Sequence, residues 1–301
     1  MKIYIIFELL DQPTGGGNQF LKMLKKQFLS LGVLTSDKSE ADIFLFNSHH
    51  FLDKVSALKK SYTKAKFVHR IDGPMRLYND LSDARDQQVY FANEIFADAT
   101  IYQSKWSKVK NLEMGLEPKA LSCVIQNCAD DSIFFPSTES NRKNKKIRLF
   151  SSSWSFHEKK GFAFYNFLDK NLNFDKYEYF FAGRSPIPFE NIKNLGPLDS
   201  KQLACELRSS DIFITASQND PCSNSLIEAS SCNLKCMALD SGGHPEIVQD
   251  NNLLFKNELD FLDKLNIITS KKISSQNKVS SPQQVANKYI DFFKEVLTTN
   301  K

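Results

Sequence analysis

The sequence predicts an α/β protein built as two Rossmann-like, doubly wound domains. Three observations carry that prediction. Short apolar runs alternate with segments of helical periodicity along nearly all 301 residues, as expected for parallel strands covered on both faces by helices. A polar, lysine-rich stretch, Ser137–Lys146, interrupts the alternation once near the middle, and the pattern then restarts. Several apolar runs end in glycine or in ionisable residues, at the strand ends where open α/β sheets bind ligands.

Composition narrows the function. Hydrophobic side chains make up 41% of the chain and aromatic ones 12%, enough to bury two cores. The formal net charge is +4, with lysines spread along the sequence. Nucleic acid is therefore not an expected partner, and mild attraction to anionic substrates or to an anionic membrane surface is. Six cysteines, at 123, 128, 205, 222, 232 and 236, match no zinc or disulfide spacing and read as reduced thiols. Met1–Phe7 has neither a cleavage pattern nor membrane length, which predicts a cytoplasmic protein able to rest on the inner face of a membrane.

In the first half, Lys2–Phe7 reads as a buried strand, and apolar residues at Leu21, Leu24, Phe28 and Leu31 place a helix after the loop that holds Gly15, Gly16 and Gly17. Glycines there let the backbone approach a ligand, while the helix start offers free N–H groups to an anion. A flexible turn that binds nothing explains the three glycines equally well, and only their place after the first strand favours binding. Strands follow at Ile43–Phe46 and Lys66–His69, separated by a helix at Asp53–Lys60. The third strand runs into His69-Arg70-Ile71-Asp72, which makes His69 a candidate acid, base or donor, and Arg70 and Asp72 candidate sugar contacts. A structural histidine and a local salt bridge are the competing readings. A helix over Tyr78–Phe96, a strand at Thr100–Gln103, a helix from Lys105 and a strand at Cys123–Gln126 complete a domain over residues 1–137.

The second domain, 147–281, begins with a strand at Ile147–Ser151 and a hydroxyl-rich loop in which Ser155 and Lys160 could meet phosphate. A helix at Gly161–Leu168 and a strand at Tyr177–Ala182 lead to Gly183-Arg184, where Arg184 either reaches a base or phosphate or is only an exposed turn residue. A helix at Ser200–Arg208 and a strand at Asp211–Thr215 precede Ser217–Glu228. Ser223, Asn224 and Ser225 are all good helix caps, so the free N–H groups near Cys222–Asn224 form a candidate diphosphate site. Glu228 has two readings. Ser225-x-x-Glu228 has the spacing of a capping box, which spacing alone favours; a carboxylate one turn into such a helix can also grip a ribose diol. A short strand at Leu253–Phe255, a helix at Glu258–Ile268 and a loose polar segment at 269–281 follow. The final helix, 282–301, aligns Val285, Tyr289, Phe292, Phe293 and Val296 on one face and needs a groove to pack in.

Asp220-Pro-Cys-Ser-Asn-Ser-Leu-Ile-Glu228, followed by Ser241-Gly-Gly-His-Pro-Glu-Ile-Val248, resembles the Glu-x7-Glu signature and the Gly-Gly-x-Pro-Glu-x-Val segment of the retaining GT-B glycosyltransferases of family 4. The glycine loop, His69, Val124–Pro136, Lys160-Gly161 and Gly196-Pro-Leu agree with that family in order. The resemblance implies two domains facing a cleft, with the last helix crossing back onto the first. It implies a UDP- or GDP-sugar as substrate, no cofactor and no metal, and a glycan or lipid-linked acceptor. Lys160 would neutralise the diphosphate, Glu228 would hold the ribose, Asp220 with the Cys222–Asn224 backbone would orient the sugar, and His69 with the glycine loop would close the site from the acceptor-side domain. The role it implies is addition of one sugar to a surface or secreted glycan. A non-catalytic sugar-nucleotide-binding subunit and an epimerase are alternatives on the same architecture.

Three departures from the family stand out. Asp220 replaces the first glutamate, no arginine precedes Lys160 in its loop, and Asn233 and Lys235 stand where Gly and Pro are common.

Overall fold

The computed structural model describes residues 1–9, 16–137, 146–270 and 279–299. Gly15, most of the expected linker and most of the 269–281 segment lie outside them. The chain forms two compact units, Met1–Asn127 with Ser280–Lys301, and Cys128–Val279.

The first unit runs β1 (Ile3–Ile6), α1 (Gly16–Ser30), β2 (Ile43–Asn47), α2 (Leu52–Ser61), β3 (Lys66–Ile71), α3 (Met75–Tyr78), α4 (Arg85–Phe96), β4 (Ala99–Tyr102), α5 (Lys105–Glu113) and β5 (Ser122–Val124). Its strands pair in parallel in the order β1-β2-β3-β4-β5. On the outer edge of β1, Leu34 bridges Ile3 in parallel. The chain therefore steps to one side of β1 before reversing to build β2 on the other. That reversal makes the unit doubly wound, and it puts the switch point beside β1, between the loops that leave β1 and β2. β2 is buried at all five positions, and Phe44, Phe46, Val55 and Phe67 share one core.

The helix expected over Tyr78–Phe96 is two helices. Asn79–Ala84 folds as a turn instead, because its short polar side chains compete for backbone N–H groups. Asp80 accepts from the Ser82 amide at 2.8 Å and Asp83 from the Arg85 amide at 3.0 Å. Asp86 on α4 then ties back to the amides of Met75 and Arg76 at 2.7 and 2.9 Å.

The second unit runs β6 (Ile147–Ser153), α6 (Phe162–Asn171), β7 (Tyr177–Gly183), β8 (Lys193–Asn194), α7 (Ser200–Arg208), β9 (Ile212–Thr215), α8 (Asn224–Ser231), β10 (Lys235–Leu239), α9 (His244–Val248), β11 (Leu254–Phe255) and α10 (Glu258–Ser270). The parallel order β11-β10-β9-β6-β7-β8 reverses between β6 and β9, the Rossmann arrangement with its binding crevice at that point. β8 is a two-residue edge strand, too short for an apolar pattern to reveal. Ala129 and Phe134 pack into this unit's core, so in contacts the chain changes units ten residues before the expected seam at 137. Asn233 takes the left-handed conformation after α8, φ 63°, a position the family's glycine suits and asparagine tolerates.

α11 (Pro282–Thr298) belongs to the first unit. Ser281 and Gln284 form a capping box at its start. Tyr289 lies 6.2 Å from Phe20 and 6.3 Å from Phe28, centroid to centroid, and Phe293 lies 6.2 Å from Phe28. The groove its apolar face needed is the surface of α1.

Candidate functional site

The loops that leave β6 and β9 meet at the switch point of the second sheet. After β6, the His157 imidazole accepts from the Lys159 amide at 3.2 Å and caps the turn Glu158–Lys160. Gly161 then reverses the chain with φ +87°. A Cβ there would sit 2.6 Å from both the Cβ and the carbonyl oxygen of Ala216, so only glycine lets the two loops pack this closely. The Gln218 amide donates to the Lys159 carbonyl at 2.7 Å. Lys160 Nζ is thereby delivered to the β9 loop, 3.1 Å from Asp220 Oδ2 and 3.3 Å from Ser217 Oγ.

Asp220 is held from two sides. Its Oδ1 accepts the Cys222 amide at 3.2 Å, and its carbonyl accepts the Gly243 amide at 2.8 Å. Gly242, at φ +62°, lies so close that a Cβ would fall 2.3 Å from the Asp220 carbonyl oxygen. Burial raises the Asp220 pKa, but Lys160, His244 and the hydrogen bonds together outweigh it and hold the carboxyl below its ordinary value. His244 is buried, with its Nδ1–H donating to the Leu239 carbonyl at 2.8 Å and no partner on Nε2. Burial lowers its pKa, against the pull of Asp220.

Ser223 caps α8, accepting from the Leu226 amide at 3.4 Å. The cap lies two residues before Ser225, so the capping box that spacing favoured for Ser225 and Glu228 does not form. Glu228 is half-buried, and its carboxyl has no hydrogen-bond or ion-pair partner among the described residues. Burial alone pushes its pKa up to about 8. Cys222 and Ser223 are buried, and Asn224 opens the helix half-exposed.

The family comparison follows this geometry. Residues 177–270, from β7 through α10, match the family described as glycosyl transferases group 1. Over those residues the second unit is similar to a group 1 glycosyl transferase. The fold of the whole chain is also that of solved proteins of the GT-B class. Sucrose-phosphate synthase from Thermosynechococcus elongatus superposes with a TM-score of 0.73 at 11% identity, covering 98% of this chain and 94% of that one. Anabaena HepE, solved in complex with UDP and glucose, gives 0.72 at 14% identity and 98% coverage of both chains. The catalytic domain of starch synthase IV from Arabidopsis thaliana, bound to ADP and acarbose, gives 0.67 at 13% identity, covering 96% of this chain and 79% of that one. A search of curated proteins found no match.

The remaining expected donor residues lie in the loops after β6 and β7 and at the start of α1. Arg184 stacks its guanidinium over Trp154, 4.8 Å from the ring centroid, and 5.8 Å from that of Phe156. Its amide is tied to the Ser153 carbonyl at 2.9 Å, and Gly183 permits the approach, since a Cβ there would collide with that carbonyl. Ser155 accepts from the His157 amide at 3.1 Å and so shapes the lysine loop. Gly16 and Gly17 form the first turn of α1, with nothing within 4 Å of a Cβ at Gly17.

In the first unit the structure corrects one expectation. His69 is not at the solvent edge. It is fully buried, stacked on Phe46 at 4.1 Å, with Nε2 2.9 Å from the Ser48 carbonyl and Nδ1 3.2 Å from the Asn93 amide nitrogen. Desolvation lowers its pKa to about 3. β3 runs on to Ile71 and is buried on both faces, so position 69 lies within the strand and under cover rather than at its open end. Arg70 is also fully buried, bonded to Asn47 at 2.5 Å and Asn127 at 2.7 Å and paired with Asp72 at 3.3 Å. Only Asp72 of these three keeps an exposed edge, at 24%.

Sequence reasoning assigned no roles to Ser217, His157 or His244. His244 stood in the quoted Gly-Gly-His-Pro-Glu segment, the one signal that could have found it. Among the described residues no helix is long and apolar enough to cross a membrane, and no three His, Cys, Asp or Glu side chains cluster to hold a metal.

Proposed function

We propose that the protein moves a sugar from a nucleoside diphosphate donor to a glycan or lipid-linked acceptor with retention at the anomeric carbon, adding one sugar to a surface or secreted glycan. The second unit is the donor side and the first the acceptor side. The observation that carries this reading is the Glu228 carboxyl, free of the helix cap and without a partner among the described residues, on the helix whose capped N-terminus follows the Lys160–Asp220 pair. A ribose diol supplies the two hydroxyls such a carboxylate lacks.

The diphosphate belongs with Lys160 and the amides at the α8 N-terminus, which together offset the negative charge of the leaving group. As the bond from the anomeric carbon to the phosphate oxygen breaks, the acceptor oxygen bonds to that carbon and its proton passes to the departing diphosphate. Asp220 holds Lys160 before the donor arrives and faces the sugar afterwards. Arg184, stacked on Trp154, brings a guanidinium to the loop that lacks the family's arginine. The UDP found in HepE and the ADP in starch synthase IV support a nucleoside diphosphate as the common group.

Transfer from UDP- and GDP-sugars, measured with Lys160→Ala and Glu228→Ala, tests the reading. Each loss should cost about 3 kcal/mol in transition-state stabilisation, roughly a hundredfold in rate, with unfolding still cooperative. Near-normal turnover in both variants defeats it. The missing loop arginine keeps a non-catalytic binding subunit as second reading, and saturable UDP binding with neither transfer nor donor hydrolysis would establish that instead.

A further inference from the structure

The first unit contains a turn that the donor chemistry leaves unused. Ser48–Phe51 links β2 to α2, and two of its four residues hold left-handed backbone, Ser48 at φ 50° and Phe51 at φ 56°. Neither is glycine, and side chains hold such a conformation only where the surroundings impose it. Here they do. The Ser48 amide donates to the Arg70 carbonyl at 2.8 Å, the His50 amide to the Asn47 carbonyl at 3.1 Å, and buried His69 holds the Ser48 carbonyl at 2.9 Å. His69 thus supports the turn from beneath and displays two other histidines above it.

Those two are placed for a ligand. His49 and His50 are both half-buried, with ring centroids 4.3 Å apart. His50 and Phe51 each meet the edge or face of Phe7, at 5.4 and 5.6 Å, making a small apolar wall where the loop after β1 begins. His49 Nδ1 contacts Ser48 Oγ at 3.3 Å, and its Nε2 has no partner among the described residues. The turn lies beside the switch point of the first sheet, the place where open α/β sheets bind.

Charge identifies the occupant. The charged groups that act on His49, besides His50, are Arg85, Asp72 and Asp83. Asp83 is paired with Arg85 at 2.6 Å and Asp72 with buried Arg70 at 3.3 Å. Lys54, whose ammonium lies 5.2 Å from the Phe51 ring centroid, is paired with Glu8 at 2.6 Å, so three carboxylates and three cations cancel, leaving a rim of hydrogen-bonding groups without net charge around an aromatic wall. An anionic ligand gains nothing there, whereas a neutral pyranose matches both parts, with its C–H face on the rings and its hydroxyls on the rim.

We propose that the Ser48–Phe51 turn is the acceptor site, and that it takes a neutral pyranose, stacked on Phe7 and His50 and hydrogen-bonded by His49. His69 is a positioning residue for it. This rests on the glycosyltransferase reading, and the test separates the two.

The chain has five histidines, so isotope-labelled histidine gives a short set of imidazole resonances in the intact protein, assigned with His49→Ala and His50→Ala. Methyl glucosides, galactosides and mannosides should shift the His49 and His50 signals saturably and leave His157 and His244 in place. UDP or GDP should do the reverse, and glucose 6-phosphate should bind the turn more weakly than the neutral glycosides. In transfer to the best glycoside, His49→Ala should raise the acceptor KM about tenfold with nucleotide affinity unchanged. If nucleotides move His244 but no neutral glycoside moves His49 or His50, or if the phosphate binds the turn as well as the glycosides, this proposal is overturned and the donor reading stands. If no nucleotide moves His157 or His244, the donor reading falls and takes this proposal with it.

Discussion

Replacing Glu228 by glutamine should make the nucleotide-free protein more stable, by an amount that depends on pH. Burial raises the Glu228 pKa from 4.5 to about 8, and no neighbouring cation offsets it. Between those values the folded state holds a proton that the unfolded state has released, so stability falls as pH rises from about 4.5 through 8. At about 1.36 kcal/mol per pKa unit, ionisation of the free side chain in the unfolded state leaves the native state disfavoured by up to about 3 kcal/mol at pH 7 and by less than about 1 kcal/mol at pH 5. Glutamine has nearly the same shape and no charge to desolvate. Thermal and urea unfolding of Glu228→Gln beside the parent at pH 5, 7 and 8.5 should show a gain that is small at the lowest pH and grows with pH, reaching several degrees at pH 7. The same substitution should abolish tight nucleotide binding. A gain equal at all three pH values, or a loss of stability at pH 7, would refute the assignment of Glu228 as a buried carboxylate kept for a ligand.

Further outcomes follow from the same geometry. Nucleotide binding to the parent should weaken by up to about tenfold per unit as pH falls below 8, since the ribose needs the ionised carboxylate, and isothermal titration in buffers of different ionisation enthalpy should detect the released proton. Gly242→Ala should displace the Asp220 backbone and cost about 1–3 kcal/mol in stability, with a larger loss in transfer than in nucleotide affinity, read by unfolding and by kinetics. Below about pH 6.5 the unfolded chain protonates His69 while the folded one resists until pH 3, so stability falls with pH on the acid side, and His69→Asn should flatten that limb in urea titrations. Tyr289→Ala should lower stability by about 3–5 kcal/mol, measured by urea unfolding, because the ring fills the contact between α11 and α1.

Much of the fold was legible in the sequence because its signals are local. Apolar runs such as Ile43–Phe46 and the one within Asp211–Thr215 had to be strands buried on both faces, and the stripe through Val285, Tyr289 and Phe293 had to find an apolar partner. The break between α3 and α4 escaped because the turn rests on Asp80 and Asp83 winning backbone N–H groups from a helix, a competition that periodicity does not weigh. At the candidate site, Lys160 and Asp220 were nameable from spacing and resemblance, while their 3.1 Å pairing was not. It depends on Gly161 letting the β6 and β9 loops touch.

The Ser217–Val248 stretch shows where the boundary lies. Sequence alone determined that a polar loop would open a helix after β9 and that Glu228 would lie one turn inside it. It could not decide between cap and ligand, since Ser223 and Ser225 are equally good caps on paper. Tertiary structure removed the Ser225 cap by packing Cys222 and Ser223 into the core and starting α8 at Asn224, which left Glu228 buried enough to resist ionisation and without a partner among the described residues. The same holds for the histidines. The sequence put His69 at a strand end, but how far a strand runs and what covers its faces depend on the packed sheet, and β3 continues to Ile71 with both faces covered, which sets His69 inside, beneath the turn that carries His49.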